Sequence, residues 1–115
     1  MQPILDEFYA IATQYKMSYP TINLISNLTG KPITETITAK YWCNHIINPV
    51  NFLDSINNCI VDNPIFIEIG PNPILTGMAK KCLPNIDAHW TYSLNQKDSN
   101  STETLLNNIG KCLSL

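Results

Sequence analysis

The 115-residue sequence contains no arginine, only four glycines and two histidines. The missing arginine accompanies heavy use of Asn and Ile, fits a coding bias, and carries no functional weight by itself. Charged residues are 14% of the chain, the net charge is −2 and no basic cluster occurs. That excludes nucleic acid or an anionic membrane as the main partner, because both are held by dense positive charge. No apolar run approaches the ~20 residues that a membrane-crossing helix needs. The opening residues lack the basic and apolar regions of a secretory signal, so a cytoplasmic location is expected. The four cysteines, Cys43, Cys59, Cys82 and Cys112, form no C-x-x-C pair, and neither histidine stands at a zinc-like spacing. Reduced, partly buried thiols are expected, and no metal site. Two N-x-T triplets, at Asn27 and Asn100, are chance matches in so Asn-rich a chain.

Apolar residues make up 44%, enough for a packed core in one small domain. Pro3 opens a helix that carries Ile4, Phe8, Ile11 and Tyr15 at helical spacing, with Leu5 and Ala12 beside them, and ends between Lys16 and Tyr19. Residues 21–28 are short, apolar and closed by Thr29-Gly30, which reads as a strand. Residues 31–39, rich in Thr, read as a loop or a short extended piece. Residues 41–47 form a short helix. Asn48 and Pro49 cap and open the next, with Phe52, Leu53, Ile56, Cys59 and Ile60 as its apolar stripe. Residues 65–69 are nearly all apolar, as in a strand covered on both faces. Gly70-Pro71 turns the chain into a helix capped and opened by Asn72-Pro73 and running to about Leu83. Residues 89–93 are a third strand. Asn100 with Glu103 resembles a capping box before a last helix bearing Leu105, Leu106, Ile109, Cys112 and Leu113. This alternation implies an α/β fold with a mostly parallel sheet of about three strands flanked by helices. So small a sheet, with edges to cover, reads as part of a larger one.

A catalytic constellation is hard to find. No serine stands in a G-x-S-x-G elbow, the usual nucleophile of α/β enzymes. Cys43 and His45 are two residues apart on a helix and so point in different directions. Glu68 leaves two readings open. It is a general base at a strand's C-terminal end, or a structural acid bonded to backbone amides. The turn Gly70-Pro71-Asn72-Pro73 could aim helix amides at an anion, but a tight turn is the simpler use. Asp54 and Asp62 suit helix surfaces and ends. His89 is structural, and Trp42 and Trp90 are core or interface anchors.

Three segments carry a resemblance. Residues 41–52, YWCNHIINPVNF, closely resemble the Y-W-x-x-H-x-x-x-P-V-x-F motif of polyketide synthase acyltransferase domains. PTINLISNLTG, residues 20–30, is similar to that family's P-x-x-x-x-x-S-N-x-T-G, and FIEIGPNPIL, residues 66–75, to its F-I-E-I-G-P-x-P-x-L. Residues 1–8 look like the helix that follows the family's F-H-S-x-x-M motif. The resemblance runs over nearly the whole chain and is loosest in about the last twenty residues.

The resemblance implies part of an α/β-hydrolase-like core that loads malonyl-type acyl groups from coenzyme A onto the phosphopantetheine arm of an acyl carrier protein. It assigns residues 1–115 to the C-terminal portion of such a domain. The family's acylated serine, its arginine, its ferredoxin-like insert and its base histidine are all placed upstream of Met1. No catalytic residue and no cofactor are therefore expected within these residues. His45 matches a position whose backbone carbonyl, in the family, orients the catalytic histidine. Tyr41, Trp42, Pro49, Val50, Phe52, Ser26, Asn27, Glu68, Gly70 and Pro71 match motif positions with structural roles. The implied partners are an upstream half-domain, a larger synthase and the carrier protein. A fragment silent alone, a non-catalytic docking module, and an enzyme with other chemistry at Cys43 or Glu68 remain the three readings. The first two predict exposed apolar surface.

Overall fold

The computed structural model describes residues 2–115, so Met1 and its place in the first motif lie outside the described residues. The chain divides into two compact units, Met1–Cys59 and Ile60–Leu115.

The first unit holds α1 (Gln2–Ala12), α2 (Ala39–Ile47) and α3 (Phe52–Asn57). Helix α1 ends several residues earlier than its apolar spacing suggests. After Thr13, the amides of Gln14 and Tyr15 turn to the carbonyls of Ile11 and Ala12, a tightening typical of helix ends. Its buried line is Leu5 and Ala12, whereas Ile4, Ile11 and Tyr15 stay exposed.

The strand expected at residues 21–28 is absent. One antiparallel bridge, Ile25 to Pro32, stands in its place. The chain folds back on itself: Ser26 N–H donates to Lys31 O, Gly30 N–H to Ser26 O and Ile33 N–H to Leu24 O. Pro32 has no N–H with which to lengthen the ladder. Ile22 is left 81% exposed.

Helix α2 starts at its N-cap Thr38, whose hydroxyl accepts from Tyr41 N–H at 3.2 Å. Asn48 closes this helix instead of capping the next. Pro49 forces the residue before it into extended backbone, and Asn48 sits at φ −108°, ψ 154°. Both its N–H and its side-chain amide donate to Asn44 O. Pro49 is therefore outside any helix, and α3 begins only at Phe52.

The second unit is α/β: β1 (Ile65–Glu68), α4 (Ile74–Cys82), β2 (His89–Tyr92) and α5 (Ser101–Leu113). Its sheet has two parallel strands, not three, with Ile65 opposite His89 and Glu68 opposite Tyr92. Strand-helix-strand order makes the pair parallel, because the crossover helix returns the chain to the same end. On one face Phe66 stacks on Trp90, ring centroids 4.4 Å apart, with Lys80 of α4 5.9 Å from the Trp90 ring. The other face carries Ile65, Ile67 and Thr91, and α5 packs against β2 there. β1 is thus not covered on both faces as its composition suggests. Ile65 and Ile67 are 47% and 55% exposed. Asn100 caps α5, its Oδ1 accepting from Glu103 N–H at 3.2 Å.

Candidate functional site

Two of the three motifs meet in the first unit. Ser26 is 2% exposed, and its hydroxyl lies 2.8 Å from the Tyr41 hydroxyl and accepts from Leu28 N–H. Buried hydroxyls need such partners, since an unpaired one costs about 1–3 kcal/mol. Asn27 O accepts from Asn51 N–H at 2.7 Å, and Leu28 O accepts from the Asn51 side chain at 2.6 Å. Ser55, buried on α3, donates toward Asn51 O at 2.8 Å and lies 3.3 Å from Asn27 Oδ1. Asn58 binds Gly30 O at 2.8 Å. The S-N-x-T-G turn therefore anchors the start of α2 through Tyr41, and α3 through Asn51 and Ser55. Asn51 and Ser55 were not singled out in the sequence. Their spacing of four, with Asn at the helix start, was the available signal.

This anchoring fixes His45. Its ring lies 6.1 Å from Tyr41 and 6.0 Å from Trp42, centroid to centroid, on the half-buried side of α2. Its carbonyl has a distinct position. In a continuing helix it would accept from the N–H of residue 49, but residue 49 is Pro49 and has none. Asn48, the nearest alternative donor, is committed to Asn44 O. The H-x-x-x-P spacing thus removes the helical donor to the His45 carbonyl, and among the described residues no hydrogen bond reaches it at the C-terminal end of α2, where the helix dipole adds partial negative charge. Such an acceptor suits an imidazole N–H. Val50 is exposed, and Phe52 opens α3.

The Cys43 thiol faces the Leu5 carbonyl at 3.9 Å. All four cysteines are free, and burial pushes the Cys59 thiol pKa up. Among the described residues no three His, Cys, Asp or Glu side chains cluster closely enough to hold a metal ion, and no helix is long and apolar enough to cross a membrane.

The third motif lies in the second unit. Helix α4 has Pro73 as N-cap, which offers no side-chain acceptor for its first amides. Glu68, at the end of β1, supplies one. Its carboxylate accepts from the N–H groups of Ile74 and Leu75 at 3.0 and 2.9 Å, and of Thr76 at 2.7 Å. Partial burial raises the Glu68 pKa, but the Thr76 side chain and the three amides outweigh it and hold the carboxyl below its ordinary 4.5. The geometry is that of the structural acid. It also fills the place an anion would take, so the Gly70–Pro73 turn does not serve as a phosphate cradle. Gly70 is tied to the end of β2 instead: its N–H donates to Ser93 Oγ at 2.9 Å, and that hydroxyl donates to Gly70 O at 3.0 Å. Pro71 lies exposed in this turn.

Replacing Glu68 with Gln is expected to cost about 1 kcal/mol at neutral pH, the usual worth of a helix N-cap. A carboxyl with a lowered folded-state pKa stabilises fully above its ordinary value and loses that contribution as pH falls through the folded value. Urea unfolding of both proteins at pH 7 and pH 3 checks this. The difference between them should shrink at pH 3.

The chain belongs to the polyketide synthase acyltransferase family, as its similarity to known proteins shows. No family model matches the chain. It is 34% identical over 113 residues to mycoketide-CoA synthase of Mycobacterium tuberculosis, covering 96% of this chain and 3% of that protein. It is 33% identical over 117 residues to the non-reducing polyketide synthase VdtA of Byssochlamys spectabilis, covering 95% of this chain and 5% of that one. Among solved structures, the acyltransferase domain from the second module of the salinomycin polyketide synthase superposes with a TM-score of 0.87 at 28% identity. That match covers 99% of this chain and 27% of the other. The chain thus spans a small fraction of the length of its curated relatives.

Proposed function

We propose that this chain supplies the supporting part of an acyltransferase site and carries no catalysis of its own. Its role is to present the His45 carbonyl to a base histidine borne by the rest of such a domain, fixing that imidazole's orientation and tautomer. The single observation that carries this reading is the carbonyl left open by Pro49 and held in place by the Ser26, Tyr41 and Asn51 bonds. The sequence contains neither a G-x-S-x-G serine nor an arginine for an acyl carboxylate. Acyl-CoA and the carrier arm are accordingly handled by residues other than these, within a larger synthase.

The free chain, given malonyl-CoA and a carrier protein, is expected to form no acyl-enzyme and to transfer nothing above the uncatalysed background. Intact-mass measurement of both proteins checks this. A covalent acyl adduct on Cys43 or any other residue of this chain would overturn the reading.

A further inference from the structure

We propose that Asn51 is the positioning residue for the His45 carbonyl: it pins the chain just beyond α2 and so sets where the end of that helix lies. This rests on the function proposed above and names the residue that places its acceptor. The motif carried by residues 41–52 leaves position 51 open, so the resemblance gives Asn51 no part.

Four hydrogen bonds meet at Asn51. Its N–H donates to Asn27 O at 2.7 Å, and its side-chain amide donates to Leu28 O at 2.6 Å. Its own carbonyl accepts from Ser55 N–H at 3.0 Å and from the Ser55 hydroxyl at 2.8 Å. The residue is thus fixed to the 26–30 turn on one side and to α3 on the other. Only Pro49 and Val50 separate it from Asn48, the C-cap of α2. Proline locks its own φ at about −65° and pushes the residue before it into extended backbone. So short and stiff a link passes any displacement of Asn51 to the last turn of α2. The same turn holds the start of α2 through Ser26 and Tyr41. The last carbonyls of a helix project from its C-terminal end, however, so the His45 acceptor faces the end that Asn51 pins. A misplacement of about 1 Å in such a group can cost on the order of a hundredfold in rate.

Asn58 supplies the comparison. Its side-chain amide donates to Gly30 O at 2.8 Å, which ties the opposite end of α3 to the same turn. The test sets the full 115-residue chain into the salinomycin acyltransferase domain, in place of the stretch it matches, and follows transfer from the acyl-CoA that the parent domain accepts. Asn51→Ala should lower kcat about tenfold or more with KM within about twofold, because the acceptor and not the substrate is displaced. Asn51→Asp keeps the shape but sets a carboxylate oxygen against Leu28 O, and should lower kcat at least as far. Asn58→Ala loosens the same turn and should keep kcat within about twofold. Unchanged kcat in both Asn51 variants, or an equal loss in Asn58→Ala, overturns the positioning role and leaves the proposed function standing. A folded hybrid that is inactive with Asn51 in place overturns the proposed function and the positioning role with it. Amide hydrogen exchange in the free chain needs no hybrid. Asn48 N–H, bound to Asn44 O at the end of α2, should exchange about fivefold or more faster in Asn51→Ala, while Trp42 N–H, bound to Thr38 O at its start, stays within about twofold. An unchanged Asn48 amide overturns the proposal.

Discussion

Pro49→Ala is expected to lower acyl transfer by roughly 10- to 100-fold when this chain replaces the matching stretch of a working acyltransferase. Hydrogen-bond competition at the His45 carbonyl is the cause. Alanine at 49 restores an N–H four residues after His45 and frees Asn48 from the extended backbone that proline imposes. Helix α2 can then run on by a turn, and the His45 carbonyl is taken by its own helix. A base histidine without its acceptor loses orientation, so kcat should fall while KM stays near its starting value. The acid limb of the pH–rate profile should move to lower pH, because an imidazolium loses a favourable acceptor. His45→Ala keeps the carbonyl and should cost far less than Pro49→Ala. Equal losses in the two variants would mean that the ring, and not the carbonyl, does the work.

Gly30→Val is expected to destabilise the Met1–Cys59 unit by roughly 2–4 kcal/mol, the sum of left-handed strain and overpacking. Gly30 sits at φ +70°, a region that β-branched residues almost never enter. A Cβ there would also collide with the Asp54 Cβ. The turn cannot move away cheaply, since Gly30 N–H binds Ser26 O and Gly30 O binds Asn58. Denaturant unfolding followed by the fluorescence of Trp42 reports on this unit. A loss within about 0.5 kcal/mol, the range of an ordinary surface substitution, would contradict the close approach.

The helices and the two strands of the second unit were legible because local signals dictate them. Asn100 with Glu103 signals the start of α5, and the 65–68 run is nearly all apolar and bounded by turn residues at 62–64 and 70–73. The apolar run at 21–28 misled for a physical reason. Its composition suits a strand, but a strand needs a partner, and Gly30 and Pro32 turn the chain back before one is reached. Asn48-Pro49 misled differently. The pair is a good helix opening in isolation, yet Asn48 was already committed to closing α2. The motif residues could be placed from sequence by resemblance. What the motifs do was legible only in part: a structural acid bonded to amides was one of two readings of Glu68, but its partners lie six to eight residues on, and Ser26 finds Tyr41 across fifteen residues. The apolar side chains at Ile65, Ile67 and Ile69 look like core in the sequence and are exposed in the chain by itself.

In the proposed function, this chain supports an acyltransferase site without containing one. Acyl transfer by the hybrid domain, measured beside the free chain in one assay, tests it most directly. The hybrid is expected to transfer malonyl groups at a rate within about two orders of magnitude of its parent, while the free chain stays at background. A folded hybrid with no activity, or a free chain that turns over, would contradict it.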